Sequence, residues 1–228
     1  MTNTTNFITP FASGHSRAQW VKILLLVGVV LDLIAIVSGY FQIDLLSKVM
    51  AGQTITEAEA AANDSRQQII GILQVLAFLT TTIFFLMWFH RAHRNLPALG
   101  AHNLRFSPGW AVGYCFIPIV SLYRPYQVAE EIWKASDPNL TDESSWQTAN
   151  TSPLLGWWWG LFLISGFVGN VVVRMTLRGG QTVSDLLTMS WGIVTSDGLS
   201  IVAAILAIFV VKGIDTRQEE KNKRLIRP

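Results

Sequence analysis

The stretch RFSPGWAVGYCFIPIVSLYRPYQ, residues 105–127, decides the predicted fold, because it is apolar enough for a membrane yet unsuited to crossing one. The 14 residues Trp110–Tyr123 carry no charge, but Pro118 interrupts them and Pro125 follows them. A proline breaks a helix, so each arm has about eight residues and reaches about 12 Å, against a hydrocarbon core about 30 Å thick. We therefore predict that Gly109–Arg124 enters the membrane and returns on the same face as a re-entrant hairpin. The residues that define this hairpin are Pro108, Gly109, Trp110, Pro118 and Pro125.

The composition is that of a membrane protein. Half of the 228 residues are hydrophobic and 14% are charged, whereas soluble domains carry about 25% charged residues. Mean hydropathy is positive, at +0.38. The net charge of +2 is small and the basic residues are dispersed, which argues against nucleic acid as a partner. Residues 1–19 are polar and lack the pattern of a signal peptide, so the first apolar run is expected to remain as a membrane span.

Four apolar runs reach the roughly 20 residues that a membrane-spanning helix needs. They are residues 20–40, 69–89, 154–173 and 186–211. If the hairpin also crossed, ten Lys and Arg would lie inside and seven outside. A returning hairpin gives 13 inside and leaves only Lys48, Arg66, Arg174 and Arg178 outside. Because basic residues favour the cytoplasmic side, we predict four spans with both termini in the cytoplasm.

The predicted fold class is all-α, with four transmembrane helices around a cytoplasmic re-entrant helical hairpin and one interfacial amphipathic helix. Irregular backbone at membrane depth is tolerated where protein or a water-filled cavity encloses it, so the four spans are expected to wrap the hairpin. Residues 125–136 should form the surface helix, with an apolar face and a polar face. The apolar face would hold Val128, Ala129, Ile132 and Trp133, with Gln127, Glu130, Glu131 and Lys134 elsewhere. The membrane domain would cover residues 20–214, followed by a charged cytoplasmic tail, 215–228.

Local signals mark helix starts and close helix contacts. Thr56 with Glu59, and Thr182 with Asp185 after Gly179-Gly180, form capping boxes that should begin helices leading into the second and fourth spans. The pairs Gly156-x-x-x-Gly160 and Ser165-x-x-x-Gly169 permit close helix approach, within the chain or with a partner.

One long stretch is similar to a known family. Residues 87–138, MWFHRAHRNLPALGAHNLRFSPGWAVGYCFIPIVSLYRPYQVAEEIWKASDP, resemble the signature of a bacterial membrane family, domain of unknown function 4328. The later LGWWWGLFLISGFVGN and LAIFVVKGIDTRQEEK resemble its closing spans, so the resemblance covers roughly residues 20–220. It implies a bacterial inner-membrane protein and no particular activity. An aromatic residue usually stands in that family where this chain has His90, which weakens a metal-site interpretation.

Two acids lie near the middle of predicted spans. Asp32 and Asp197 fall just outward of the midplane, where a carboxyl group costs roughly 2.5–3.5 kcal/mol to insert. The sequence thus predicts an intramembrane polar cluster that comprises Asp32, Gln74, Asn170, Arg174 and Asp197. Three interpretations remain open: neutral acids that bond across a packed helix interface, a protonatable pair that couples proton movement to transport, or the site of a membrane enzyme.

Basic residues are predicted to surround the mouth of the hairpin. They are Arg91, Arg94, Arg105 and Arg124, beside His90, His93 and His102. Such a rim can hold anionic headgroups or simply anchor the topology. His90 and His93 could reach one metal ion, but they lack a third ligand at a suitable spacing, and a solvated helix end is favoured.

No catalytic motif is recognisable, so the sequence predicts neither catalytic residues, nor a cofactor, nor a metal. The favoured function is a non-catalytic module that binds a lipid, an amphiphile or a partner membrane protein in a cavity lined by the hairpin. A homo-oligomer remains possible. The alternative is a small proton-coupled transporter that uses Asp32 and Asp197. Either protein would lie in a bacterial inner membrane.

Overall fold

A computed structural model describes residues 10–140, 145–177 and 182–226, and within these ranges the regular structure is entirely helical. The helices are α1 (His15–Met50), α2 (Glu57–Arg94), α3 (Pro108–Gly113), α4 (Arg124–Ala135), α5 (Pro153–Leu177) and α6 (Val183–Ile226). Short 3-10 turns lie at Pro97–Leu99, Tyr114–Phe116, Val120–Leu122 and Ser145–Thr148. The all-α prediction is therefore confirmed.

Four of these helices are long and apolar enough to cross a membrane, namely α1, α2, α5 and α6. This confirms the prediction of four candidate spans. Each helix runs beyond its apolar run: α1 begins inside the predicted polar segment, and α6 continues through most of the predicted tail. The extensions follow from residues such as Glu, Gln, Lys and Arg, which maintain a helix without being apolar.

Both capping boxes begin helices as predicted. The Thr56 hydroxyl accepts the N–H of Glu59 at 3.2 Å, and the Glu59 carboxylate accepts the N–H of Thr56 at 2.8 Å. Thr182 and Asp185 make the same reciprocal pair at 3.2 and 3.0 Å. The sequence predicts these contacts because they involve neighbouring residues only. Arg178 and the Gly179-Gly180 break lie outside the described residues.

The chain divides into two compact units. Unit 1 combines the described residues within Met1–Lys22, Thr82–Gly156 and Ile208–Pro228, and unit 2 combines those within Ile23–Thr81 and Trp157–Ala207. Unit 1 thus contains the beginnings of α1 and α5, the ends of α2 and α6, and the whole connection between α2 and α5. Unit 2 contains the remaining lengths of the four long helices.

Small residues let the helices of unit 2 approach closely. A Cβ built on Gly39 of α1 would lie 2.7 Å from Cγ2 of Val194, and one built on Gly192 of α6 would lie 2.7 Å from Cγ2 of Val172. The predicted small-residue pairs behave differently from each other. Ser165 bonds Ser200 at 2.6 Å, and a Cβ on Gly169 would lie 3.4 Å from Ser196. Among the described residues, no atom of a neighbouring element lies within 4 Å of a Cβ built on Gly156 or Gly160.

The predicted surface helix, α4, is a core element of unit 1. Its predicted apolar face is buried: Val128, Ala129 and Ile132 have no exposed surface, and Trp133 is 9% exposed. However, Glu131, which was predicted on the polar face, is also buried. Protein therefore covers the predicted apolar face of the helix. Its position at the membrane interface stays a prediction.

The predicted hairpin segment is short and broken, and its tip is exposed. Phe116 and Ile119 near this tip are 71% and 75% exposed. Enclosure of the hairpin by the four spans stays a prediction. The backbone of the turn makes local hydrogen bonds. The N–H of Ser121 donates to Ile117, that of Leu122 to Ile119 and that of Tyr123 to Val120, at 2.8–3.2 Å. These hydrogen bonds pair part of the backbone of the turn locally, and the N–H of Val120 adds another to the carbonyl of Pro118 at 2.7 Å.

Candidate functional sites

A polar site in unit 2 joins three of the candidate membrane-spanning helices. Gln74 of α2 donates from Nε2 to Oδ1 of Asp32 on α1 at 2.9 Å and to Oδ1 of Asp197 on α6 at 3.2 Å. Both acceptors bond to one nitrogen, so the two carboxyl oxygens lie no farther apart than the sum of these distances. Two acids separated by more than 160 positions in the chain therefore share one amide group.

The surroundings of Asp197 indicate what this site can do. Its residue surface is 9% exposed, and its Oδ2 is buried with no hydrogen-bond partner among the described residues. A buried carboxylate oxygen without a partner is costly, and two ionised carboxylates at this separation repel each other. A proton held by one of the two acids reduces both costs, so the arrangement can bind and release a proton.

Two members of the predicted cluster lie elsewhere. Asn170 and Arg174 on α5 are exposed, and no described hydrogen bond joins them to the other three. The face of α5 that contacts α6 contains Ser165, Gly169 and Val172 instead. The sequence predicts how far along a helix a residue lies. It does not predict which neighbouring helix the side chain faces, because successive positions of a helix point in different directions.

The hairpin begins with a capped short helix. The Ser107 hydroxyl accepts the N–H of Trp110 at 3.4 Å, and Pro108 occupies the first turn of α3. The Trp110 ring then stacks on Tyr114 at 5.2 Å between centroids. Burial raises the pKa of the Cys115 thiol, which agrees with an inert thiol.

Large apolar side chains cover the outside of this stretch. Those more than a third exposed are Trp110, Phe116, Ile117, Ile119, Leu122 and Tyr123. Ile119 also has φ of +67° and ψ of −51°, the conformation at the centre of a γ-turn, which is strained for a β-branched residue. We name the exposed set Trp110, Phe116, Ile119 and Leu122 the apolar tip.

Two of the four predicted rim arginines lie on aromatic rings beside the apolar tip. The Arg124 guanidinium lies 5.4–5.7 Å from the ring centroids of Phe106, Tyr114 and Tyr123, and bonds Gln127 at 2.9 Å. Arg105 lies 5.7 Å from the Phe106 ring. Cation-π contacts of this kind hold a charged group at a fixed place beside an apolar surface.

The other two predicted rim arginines belong to a separate cluster on α2. Arg91 and Arg94 lie near enough to His90 for their charges to act on its ring, and so does Arg17 of α1. Arg17 was not among the predicted site residues. No sequence motif indicates it, because it reaches this place through the packing of α1 on α2.

His93 does not lie at a solvated helix end, contrary to the prediction. It is fully buried, and its Nε2 lies 3.0 Å from Oε1 of Glu131, which is also buried. The second carboxylate oxygen, Oε2, accepts the backbone N–H of Arg105 at 2.7 Å. The His93 Nδ1 atom has no partner within the described part of the chain. Among these residues no group of three or more His, Cys, Asp or Glu could hold a metal ion.

A buried amide network joins the ends of several helices in unit 1. Asn95 donates to the carbonyl of Ala12 at 2.9 Å and to Oε1 of Gln218 at 3.3 Å. Gln218 donates in turn to the carbonyl of Ala92 at 2.8 Å and to the Ser136 hydroxyl at 3.1 Å. The sequence analysis missed this network, because its members are far apart in the chain and belong to no local motif.

Comparison with protein families gives a match. The family model described as Domain of unknown function (DUF4328) matches residues 51–216. This range is well over half of the chain and includes Gln74, Asp197, the hairpin and the buried pair of His93 and Glu131. No curated protein and no solved structure matches the chain.

Proposed function

This chain belongs to the family of domain of unknown function 4328, whose description assigns no activity, and we propose that it is a non-catalytic, multi-pass protein of the bacterial inner membrane that binds anionic lipid beside the hairpin. The apolar tip would lie among acyl chains, and Arg105 and Arg124 would lie at the level of the headgroups.

The observation that carries this proposal is the exposure of the apolar tip. Soluble surfaces rarely expose several large apolar side chains together, and such patches mark contacts with membranes or partners. Ile119 shows this most clearly, because the residue is 75% exposed and its backbone is strained. Among acyl chains, the Ile119 side chain would no longer be exposed to water. The free energy gained in this way would offset part of the conformational free energy of the strained backbone.

Charge and chain path support the same orientation. The connection between α2 and α5 begins and ends within unit 1, so the hairpin can dip and return without crossing. The basic residues favour the cytoplasmic side for this connection, with 13 Lys and Arg inside and four outside. Each arginine near an anionic leaflet contributes about 1 kcal/mol, so Arg105 and Arg124 favour anionic over neutral headgroups.

Spin labelling tests the position of the tip. The chain's one cysteine is removed by Cys115→Ser, and nitroxides are attached after Ile119→Cys or Asn139→Cys. In vesicles of phosphatidylethanolamine and phosphatidylglycerol, we expect the label at 119 to collide more with oxygen, which concentrates in acyl chains, than with a water-soluble nickel complex. The control label at 139 replaces an exposed residue outside the hairpin and should show the reverse preference.

Equal access of the nickel complex to both labels would overturn the proposal. A label at 119 that is shielded from both reagents would also contradict it, because a partner protein rather than lipid would then cover the tip.

A second candidate function, a proton-coupled transporter, is favoured by the contact of Asp32, Gln74 and Asp197. Intramembrane acids often form proton relays, and these two share a donor while one carboxyl oxygen is left unpaired. Coupling would require that this pair gains and loses a proton during each transport cycle.

Proton flux in proteoliposomes tests this candidate. The double substitution Asp32→Asn and Asp197→Asn should lower flux to that of protein-free liposomes, because an amide cannot release a proton. The control is Asp44→Asn, which removes a surface acid of the same helix that pairs with Lys48 at 2.7 Å. Flux that is unchanged in the double variant would exclude the acid pair as the coupling site.

A further inference from the structure

A groove in unit 1 combines an apolar wall with basic side chains. It is open, has a volume of about 470 Å³, and is lined by Arg17, Leu86, Met87, His90, Gly109 and Val112. The wall therefore contains aliphatic and thioether side chains from α2 and α3, and one edge contains a guanidinium and an imidazole. The Arg17 guanidinium is held in place by a bond to the carbonyl of Met87 at 3.3 Å.

The basic edge of the groove has a surplus of positive charge. Arg17, Arg91 and Arg94 act on His90 together, and Arg17 and Arg94 also act on Arg91. None of the described ion pairs supplies a carboxylate to these three arginines. By contrast, Arg217 of the same unit lies 3.5 Å from Asp137. Like charges gathered without a counter-ion are unfavourable, so this edge is complementary to an anion from outside the chain.

We propose that this groove binds the phosphate of an anionic phospholipid beside Arg17 and His90, with Arg91 adding positive charge next to the groove and the first part of an acyl chain lying along Leu86, Met87 and Val112. The inference rests on the proposed lipid-binding function and gives it a defined site, separate from the apolar tip. Arginine suits this role because its planar group donates two parallel hydrogen bonds to phosphate oxygens.

The apolar wall favours a lipid over free phosphate. Inorganic phosphate would use the arginines alone, whereas a phospholipid also covers the Leu86, Met87 and Val112 side chains. Gly109 and Val112 come from α3, so a lipid in the groove would contact the first turns of the hairpin.

Lipid titration of the purified, delipidated protein tests the site. Native mass spectrometry in mild detergent would follow binding of phosphatidylglycerol, with phosphatidylcholine as the neutral lipid and inorganic phosphate as competitor. One charge near anionic lipid contributes about 1 kcal/mol, which is about fivefold in affinity. We therefore expect about fivefold weaker binding for Arg17→Gln and about 25-fold weaker binding for Arg17→Gln with Arg91→Gln.

Two controls separate the groove from general charge and from misfolding. Lys212→Gln removes an exposed charge of unit 1 outside the groove and should bind like the wild type. Val112→Ser keeps all charges. It should weaken the binding of phosphatidylglycerol but leave the affinity for inorganic phosphate unchanged. Each variant is compared at equal helix content and elution volume, and Arg17→Lys should restore part of the affinity.

The possible results are distinguishable. If the double arginine variant binds phosphatidylglycerol with wild-type affinity, the groove is not the lipid site. The proposal for the hairpin would still hold if the label at 119 remains in the acyl chains. Full competition by inorganic phosphate would show that the groove takes free anions, which contradicts a lipid site. Equal binding of phosphatidylcholine and phosphatidylglycerol would likewise contradict it.

Discussion

Glu131→Ala is expected to lower the free energy of unfolding by about 3 kcal/mol or more, because it leaves buried polar groups without partners. The substitution removes the hydrogen-bond partner of His93 Nε2 and the acceptor of the backbone N–H of Arg105. His93 has no exposed surface, so water cannot replace the lost bond without a local opening of unit 1. Titration with sodium dodecyl sulfate, followed by tryptophan fluorescence, measures the change.

The neighbouring acid provides a matched control. Glu130→Ala breaks a partly exposed ion pair with Lys134 and a bond from Thr151, so it should cost about 1 kcal/mol or less. Removing both polar partners by His93→Phe with Glu131→Leu should recover part of the loss, since an apolar pair leaves fewer buried groups unpaired. If Glu131→Ala is no more destabilising than Glu130→Ala, the buried pair does not support the fold.

Gly39→Ala and Gly192→Ala should each destabilise unit 2 by about 1–3 kcal/mol, with a larger loss when they are combined. Either Cβ would lie 2.7 Å from a valine methyl group, which is too close for two carbon atoms. Valine is stiff in a helix and cannot rotate away freely, so the helices must separate. The same detergent titration reports the effect.

Gly28→Ala is the control for helix propensity. Gly28 also lies in α1, but no atom of a neighbouring element lies within 4 Å of its built Cβ in the described structure. Alanine there should be neutral or stabilise the helix by up to about 1 kcal/mol. Equal effects of the substitutions at 28, 39 and 192 would show that close approach at the two tight glycines is unimportant.

The parts of the fold that depend on neighbouring residues could be predicted from the sequence. Capping at Thr56 and Thr182, the apolar face of α4 and the four long helices all follow from local spacing. The hairpin was predicted as short and broken for the same reason, since Pro118 acts on its own neighbours. Its enclosure by the spans stays a prediction, because the exposure of Phe116 and Ile119 shows only that the tip is uncovered by the described residues.

The candidate sites were predictable only in part. The depth of Asp32, Gln74 and Asp197 indicated that they could meet, but depth alone also included Asn170 and Arg174, which point elsewhere. The pair of His93 and Glu131 and the position of Arg17 arise from tertiary packing. They were missed because no periodicity or motif connects residues on different helices.

The network of unit 1 also has a consequence for biosynthesis. His15 bonds Asp215 at 2.8 Å across 200 positions of sequence, close to the contacts of Ala12, Asn95 and Gln218. At 5–20 residues per second, the ribosome needs on the order of 10–40 s between these two positions. Until Gln218 is made, the Ser136 hydroxyl and one N–H of the Asn95 amide lack their partner from α6. A nascent chain that stalls before α6 therefore carries incompletely paired polar groups that proteases and chaperones can recognise.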